Sequence, residues 1–222
     1  MNPRYEGVLF DLDGTLVDTA PDFAAVLNRM LVARGRPALP YETVRKAVSQ
    51  GARTVVALGF GEMGIESPEF EVMRQEFLVN YREHLADETR LFDGMAELLD
   101  NLDAEGRPWG IVTNKHSHFT NPLLKALGLD QRCRVAICPD MVTHTKPDPE
   151  PMFKACDVLG LHPASVLYVG DHLRDIQAGK NAGMPTAAAA WGYIPDNENI
   201  LDWQADHALA SVDALQALLR PA

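Results

Sequence analysis

From about Asp93 to Ala189, short aliphatic or β-branched runs alternate with longer amphipathic stretches, and this alternation constrains the fold more than any other feature. Trp109 to Val112, Val135 to Cys138, Val166 to Val169 and Pro185 to Ala189 read as strands. Met95 to Asp103, Phe119 to Ala126, Met152 to Leu159 and Ile176 to Ala182 read as helices. Glycine closes these helical stretches, at Gly106, Gly128, Gly160 and Gly183, where a left-handed residue turns the chain back toward a sheet. The rhythm is βαβ and implies an α/β class with a mostly parallel sheet flanked by helices.

A first strand, Gly7 to Phe10, stands apart from the rest, because the next clear strand comes only after Gly106. The intervening chain carries helical patterns alone. Thr19-Ala20-Pro21-Asp22 resembles a capping box ahead of Phe23, Val26, Leu27, Met30 and Leu31; a second helix follows from about Tyr41; Ser67-Pro68-Glu69 opens a third that carries Phe70, Met73, Phe77 and Tyr81. The expected organisation is a core of residues 1–16 and 86–222 with an all-helical insertion, 17–85, hanging over the carboxyl end of the first strand. A length of 222 residues suits one full core plus such an appendage.

With 20 basic and 31 acidic side chains the net charge is −11, which repels polyphosphate backbones, and no Lys/Arg stripe with interleaved aromatics offsets it. Nucleic acid is not an expected partner. The first residues, Met1 to Asp11, hold no signal-like apolar stretch, and runs such as Ala187 to Trp191 are too short to span a bilayer, so a cytoplasmic protein is expected. Cys133, Cys138 and Cys156 form no Cys-x-x-Cys pair and read as reduced, buried thiols.

In an open parallel sheet, ligands bind beyond the carboxyl ends of the strands. There the sequence places Asp11-Leu12-Asp13-Gly14-Thr15, Thr113-Asn114, Lys146-Pro147-Asp148 and Gly170-Asp171 with Asp175 four residues on. Each alone reads as a turn or cap; four strand ends delivering acids, a hydroxyl and a lysine to one place read as chemistry. Carboxylates gathered this closely need compensation, which a divalent cation and Lys146 supply. Two ionised aspartates, one Mg²⁺ and one lysine then leave room for a dianion such as a phosphate monoester. Oxygen ligands without His or Cys favour Mg²⁺ over zinc.

These four motifs, in this order and over essentially the whole chain, resemble those of the haloacid dehalogenase-like phosphatases, whose Rossmann-like core carries an inserted cap. The resemblance implies Asp11 as the nucleophile that forms an aspartyl-phosphate and Asp13 as the acid and then base, its main-chain carbonyl also holding Mg²⁺. It implies Asp11 and Asp171 as the metal carboxylates, Asp175 as a support for Lys146 or a metal-bound water, and Thr113, Asn114 and Lys146 as the phosphoryl cradle. An acid at position 13 favours ester chemistry over dehalogenation, since only an ester has a leaving oxygen to protonate.

The overall pattern resembles the phosphoglycolate phosphatase branch. Ser49-Gln50-Gly51-Ala52-Arg53, Leu91 to Leu99 and Gly170 to Ile176 lean toward the N-acetylmuramic acid 6-phosphate phosphatases of cell-wall recycling. Both substrates are small carboxylated phosphate esters. Arg53, following Gly51, is the candidate for meeting the carboxylate, the alternative being a solvated surface arginine. His116, His118 and His144 read as solvated or hydrogen-bonded residues, while His172 lies close enough to Asp171 to touch a leaving group. Trp191-Gly192-Tyr193 reads as a loop packing under the site. Two other functions stay open: a sugar-phosphate mutase like β-phosphoglucomutase, and a non-catalytic metabolite-binding relative. Oligomeric state is not legible.

Overall fold

The computed structural model describes residues 5–220; residues 1–4 and 221–222, which the sequence reading assigns to the core, lie outside the described residues. The strands are β1 (Gly7–Phe10), β2 (Val17–Asp18), β3 (Arg90–Leu91), β4 (Trp109–Val112), β5 (Ala136–Ile137), β6 (Val166–Gly170), β7 (Thr186–Ala189) and β8 (His207–Leu209). The helices are α1 (Ala20–Val32), α2 (Tyr41–Arg45), α3 (Ala52–Phe60), α4 (Pro68–Glu83), α5 (Met95–Ala104), α6 (Ser117–Ala126), α7 (Glu150–Leu159), α8 (Leu173–Asn181) and α9 (Val212–Leu219).

Six strands form one sheet in the order β5-β4-β1-β6-β7-β8, and every pairing in it is parallel. All residues of β1, β4, β6 and β7 are buried, as the unbroken apolar runs require of strands covered on both faces. The chain builds outward from β1 through β4 to β5, then returns to β6 and builds the other way. That reversal beside β1 is the topological switch at which such sheets bind ligands. Gly106, Gly128, Gly160 and Gly183 all have positive φ, so each turn that the sequence assigns to them is made.

Helices α1 to α4 lie between β2 and β3, which pair antiparallel through Val17 with Leu91 and Asp18 with Arg90. Two strands of two residues each carry no periodicity, and the sequence reading does not find them. Asp22 of α1 ties the returning chain to the outgoing one by accepting from the amides of Glu88 (2.9 Å) and Thr89 (3.1 Å) and from the Thr89 hydroxyl (2.6 Å).

Two local expectations need correction. Thr19 does not cap α1 through its side chain; its hydroxyl donates to Asp13 Oδ1 at 2.6 Å, and Asp18 Oδ1 and the Tyr193 hydroxyl take the Ala20 amide instead. The helix expected from Tyr41 is two helices: α2 ends at Arg45, a 3₁₀ turn at Val48–Gln50 follows, and Gly51 at φ 91° leads into α3. Ser67 does cap α4, accepting from the Phe70 amide at 3.1 Å. The three cysteines are free, with Cys138 and Cys156 buried, and burial pushes the Cys133 thiol up to about 12.

Candidate active site

The chain leaves β1 at Phe10 and is pinned at once to its neighbour, the Asp11 amide donating to the Val169 carbonyl at 2.8 Å. A tight turn follows: the Leu12 carbonyl accepts from the amides of Leu16 (3.1 Å) and Val17 (3.0 Å), and Gly14 adopts φ 88°. A Cβ at Gly14 would stand 2.2 Å from Asp171 Oδ2, so only glycine lets this turn approach the end of β6.

Buried in the angle between them, the Lys146 ammonium donates to Asp11 Oδ1 (2.8 Å), to the Val112 carbonyl (2.9 Å) and to the Tyr168 hydroxyl (2.9 Å). It also lies 2.7 Å from Asp175 Oδ1. Asp171, directly after β6, accepts from the Thr15 hydroxyl (3.1 Å) on Oδ1 and from the Ser49 hydroxyl (2.6 Å) and Tyr193 amide (2.9 Å) on Oδ2. Carboxylate oxygens of Asp11, Asp171 and Asp175 all fall within 4.8 Å of one another.

Three buried carboxylates lie together while Lys146 pairs with two of them, Asp11 and Asp175, and the electrostatics follow. Burial pushes Asp11 up to about 6, with Lys146 opposing and Asp175 and Asp13 adding to the rise. Burial, then the charges of Asp11 and Asp175, push Asp171 up to about 7. An all-oxygen group that resists ionising when left alone fits a hard divalent cation, whose charge removes that resistance.

Asp13 is not part of that group. Its Oδ1 accepts from the Thr19 hydroxyl (2.6 Å) and from the Lys115 ammonium (2.9 Å). Lys115 is a residue that the sequence reading passes over, although it directly follows Thr113-Asn114. Burial works against its charge, yet Asp13 and the Tyr81 hydroxyl outweigh this and hold its pKa above the ordinary lysine value. Thr113 accepts the Lys115 amide on its hydroxyl (3.1 Å), and Asn114 donates its side-chain amide to the Lys146 carbonyl (3.2 Å), knitting the ends of β4 and the Lys146 loop together.

Above these residues opens a cavity of about 690 Å³, lined by Asp11, Asp13, Thr113, Asn114 and Lys146 from the sheet and by Ser49, Gly51 and Arg53 from the insertion. The model of the haloacid dehalogenase-like hydrolase family matches residues 8–189, which run from β1 through β7 and include Asp11, Asp13, Thr113, Lys146, Asp171 and Asp175. The chain belongs to that family. This hydrolase is 48% identical over 220 residues to the N-acetylmuramic acid 6-phosphate phosphatase of Pseudomonas aeruginosa, covering 97% of each chain. It is 43% identical over 199 residues to a phosphoglycolate phosphatase of Xanthomonas campestris, covering 90% of this chain and 89% of that one. Among solved structures, a predicted phosphoglycolate phosphatase from Haemophilus somnus superposes with a TM-score of 0.85 at 28% identity, over 98% of this chain and 99% of that one.

The hydrolase treats the remaining candidates unequally. Asp175 supports Lys146 and also accepts the His172 amide (3.0 Å). His172 caps α8, its Nδ1 accepting from the Arg174 amide at 3.2 Å; burial first, then Arg174, holds the imidazole down at about 4, and it does not line the cavity. Arg53 lines the cavity, but its guanidinium donates to the Ile65 carbonyl (2.6 Å) and lies beside Glu66 (3.5 Å) and Glu71 (3.7 Å). Arg174, which the sequence reading did not single out, lines the same cavity; it donates to the Ser49 carbonyl, and among the described residues no carboxylate pairs with it. His116 and His118 face the cavity; His144 lies outside it. The Trp191 indole donates to the Thr15 carbonyl (3.1 Å) and Tyr193 to Asp18 (2.6 Å), so that loop does pack beneath the site. Among the described residues no helix is long and apolar enough to cross a membrane.

Proposed function

We propose that this chain is a Mg²⁺-dependent phosphomonoester hydrolase acting in the cytoplasm, with residues 17–85 as a cap over the core. The buried group of Asp11, Asp171 and Asp175 around Lys146, open to a 690 Å³ cavity, is the observation that carries this reading. Asp11, held at Oδ1 by Lys146, keeps Oδ2 for attack on phosphorus; the aspartyl-phosphate it forms divides one very slow displacement into two. Asp13 protonates the leaving oxygen and then takes a proton from the attacking water. Thr113, the Asn114 amide and Lys146 hold the phosphoryl oxygens. Asp11, Asp171 and the Asp13 main chain would hold Mg²⁺, which supplies positive charge against the phosphoryl oxygens.

The substrate in this reading is a small carboxylated phosphate ester, N-acetylmuramic acid 6-phosphate ahead of phosphoglycolate. The nature of the relatives supports both. The cavity volume lies within the roughly 300–1,000 Å³ that holds ligands larger than a two-carbon acid, which supports the amino sugar. The carboxylate is met by cavity guanidinia. Among the described residues Arg174 has no acid partner, whereas Arg53 must exchange Glu66 and Glu71 for the substrate. Phosphate release from the two esters, side by side with Mg²⁺ or EDTA and with Asp11→Asn as the blank, tests the proposal. The amino sugar should win by kcat/KM, and no Mg²⁺-dependent, Asp11-dependent release from any phosphate ester would refute it.

A further inference from the structure

Both donors that reach the Asp13 carboxylate reach the same oxygen. Thr19 and Lys115 lie 2.6 and 2.9 Å from Oδ1, and among the described residues nothing donates to Oδ2. A carboxylate pinned on one oxygen and open on the other presents one defined atom to the cavity that it lines. Lys115 is in turn pinned from the opposite side. Its ammonium lies 2.9 Å from the Tyr81 hydroxyl, 4.7 Å from the centre of the Tyr81 ring and 5.1 Å from that of Phe23. Those two rings stand 4.3 Å apart and belong to α4 and α1 of the insertion, whereas Asp13 belongs to the core turn. One buried ammonium therefore joins the insertion's aromatic pair to the core's acid.

We propose that Lys115 is a positioning residue: gripped by Tyr81 and Phe23, it fixes Asp13 Oδ1 so that Oδ2 is the atom that exchanges protons with the substrate. The inference deepens the hydrolase reading and rests on it. In the first step the Asp11 oxygen bonds to phosphorus as the ester P–O bond breaks, and the Asp13 Oδ2 proton passes to the departing alkoxide. In the second, water bonds to phosphorus, the Asp11–phosphorus bond breaks, and the proton from water returns to Oδ2. Misplacing such a group by about 1 Å costs on the order of 100-fold, and general acid catalysis as a whole contributes about 10²- to 10⁴-fold.

The two ways in which a cavity lysine can act differ in their dependence on the leaving group. A lysine that holds phosphoryl oxygens serves every ester alike. One that positions the acid matters for alkyl phosphates, whose alkoxide must be protonated, and little for 4-nitrophenyl phosphate, whose phenolate leaves unaided. Lys115→Met and Lys115→Arg are compared with wild type on 4-nitrophenyl phosphate and on whichever alkyl phosphate the wild type turns over better. Lys115→Met should lower kcat/KM for the alkyl ester by about 100-fold and for the aryl ester by no more than about threefold. Lys115→Arg, still a cationic donor, should recover about tenfold of the alkyl loss. Equal losses on both esters, or no loss on either, would overturn the inference. Should Lys115→Met fail to give a cooperative melt, Tyr81→Phe removes only the hydroxyl and should lower the alkyl-to-aryl ratio about threefold; an unchanged ratio overturns the inference. A wild type inactive on both esters overturns the hydrolase reading itself, which is a different result.

Discussion

Replacing Asp171 by Asn isolates the electrostatic load of the buried acids. In the metal-free protein Asp171 stands at about 7 against an ordinary 3.8. Its folded pKa lies above its unfolded one, so between about pH 4 and 7 the folded chain binds more protons than the unfolded chain, and metal-free stability gains from this group as the pH falls. Above about pH 7 the buried charge weighs in full. A rise of about three units, at about 1.4 kcal/mol each, corresponds to on the order of 4 kcal/mol. Asparagine removes the charge and keeps the shape: its oxygen can accept from Ser49 and Tyr193, and its amide can donate to the Thr15 hydroxyl, which then serves as acceptor. Setting about 1 kcal/mol against the rearranged bond leaves roughly 3 kcal/mol in favour of the variant. For a chain of this size each kcal/mol moves Tm by about 2–4 °C, so Asp171→Asn in EDTA at pH 8 should melt about 6–12 °C above wild type. The gap should narrow as the pH is lowered through 7 toward 5. With millimolar Mg²⁺ at pH 8 the order should reverse, because only wild type gains the binding free energy. Scanning calorimetry reads all of these. A variant that melts at or below wild type in EDTA at pH 8 would refute the claim that burial and the neighbouring carboxylates together oppose the Asp171 charge.

Three further outcomes are expected. A Cβ at Gly192 would stand 2.2 Å from Asp171 Cβ and 2.6 Å from the Gly14 carbonyl; Gly192→Ala should lower stability by about 2 kcal/mol, and Mg²⁺ titration followed by calorimetry should show affinity reduced at least about tenfold. Asp22→Ala strands the amides of Glu88 and Thr89 and the Thr89 hydroxyl, so it should cost about 3 kcal/mol in a urea melt and speed proteolytic cleavage near 84–90. Arg174→Ala should raise KM for the carboxylated substrate about tenfold or more, as loss of a charged hydrogen bond predicts, and Arg53→Ala by less than about threefold; a larger effect at Arg53 than at Arg174 would return the carboxylate to Arg53.

Much of the core is legible because its signals are local. A run such as Val8-Leu9-Phe10 is apolar on consecutive residues because both faces of β1 are covered, and Gly106 or Gly160 is glycine because its own φ is positive. Where local pattern is thin the reading stops. β8, with only Leu209 buried, shows no apolar run, although Ser211 and the spacing of Val212, Leu215 and Leu219 are a helix signal for α9 that the sequence reading leaves unused.

The site divides in the same way. Asp11, Thr113 and Asp171 directly follow β1, β4 and β6, and a parallel sheet brings those strand ends to one edge, while Lys146 reaches the same edge from the loop between β5 and α7; the sequence names all four. It cannot name the partners those groups take. Lys115 meets Asp13 across 102 residues and Ser49 meets Asp171 across 122, by way of side chains on loops and inserted helices whose angle to the sheet is set by packing. Thr19 shows the limit most plainly. Its sequence context is that of a helix cap, yet its hydroxyl goes to Asp13, because the tight turn at Gly14 carries that carboxylate within 2.6 Å while Asp18 and Tyr193 take the amide at the start of α1.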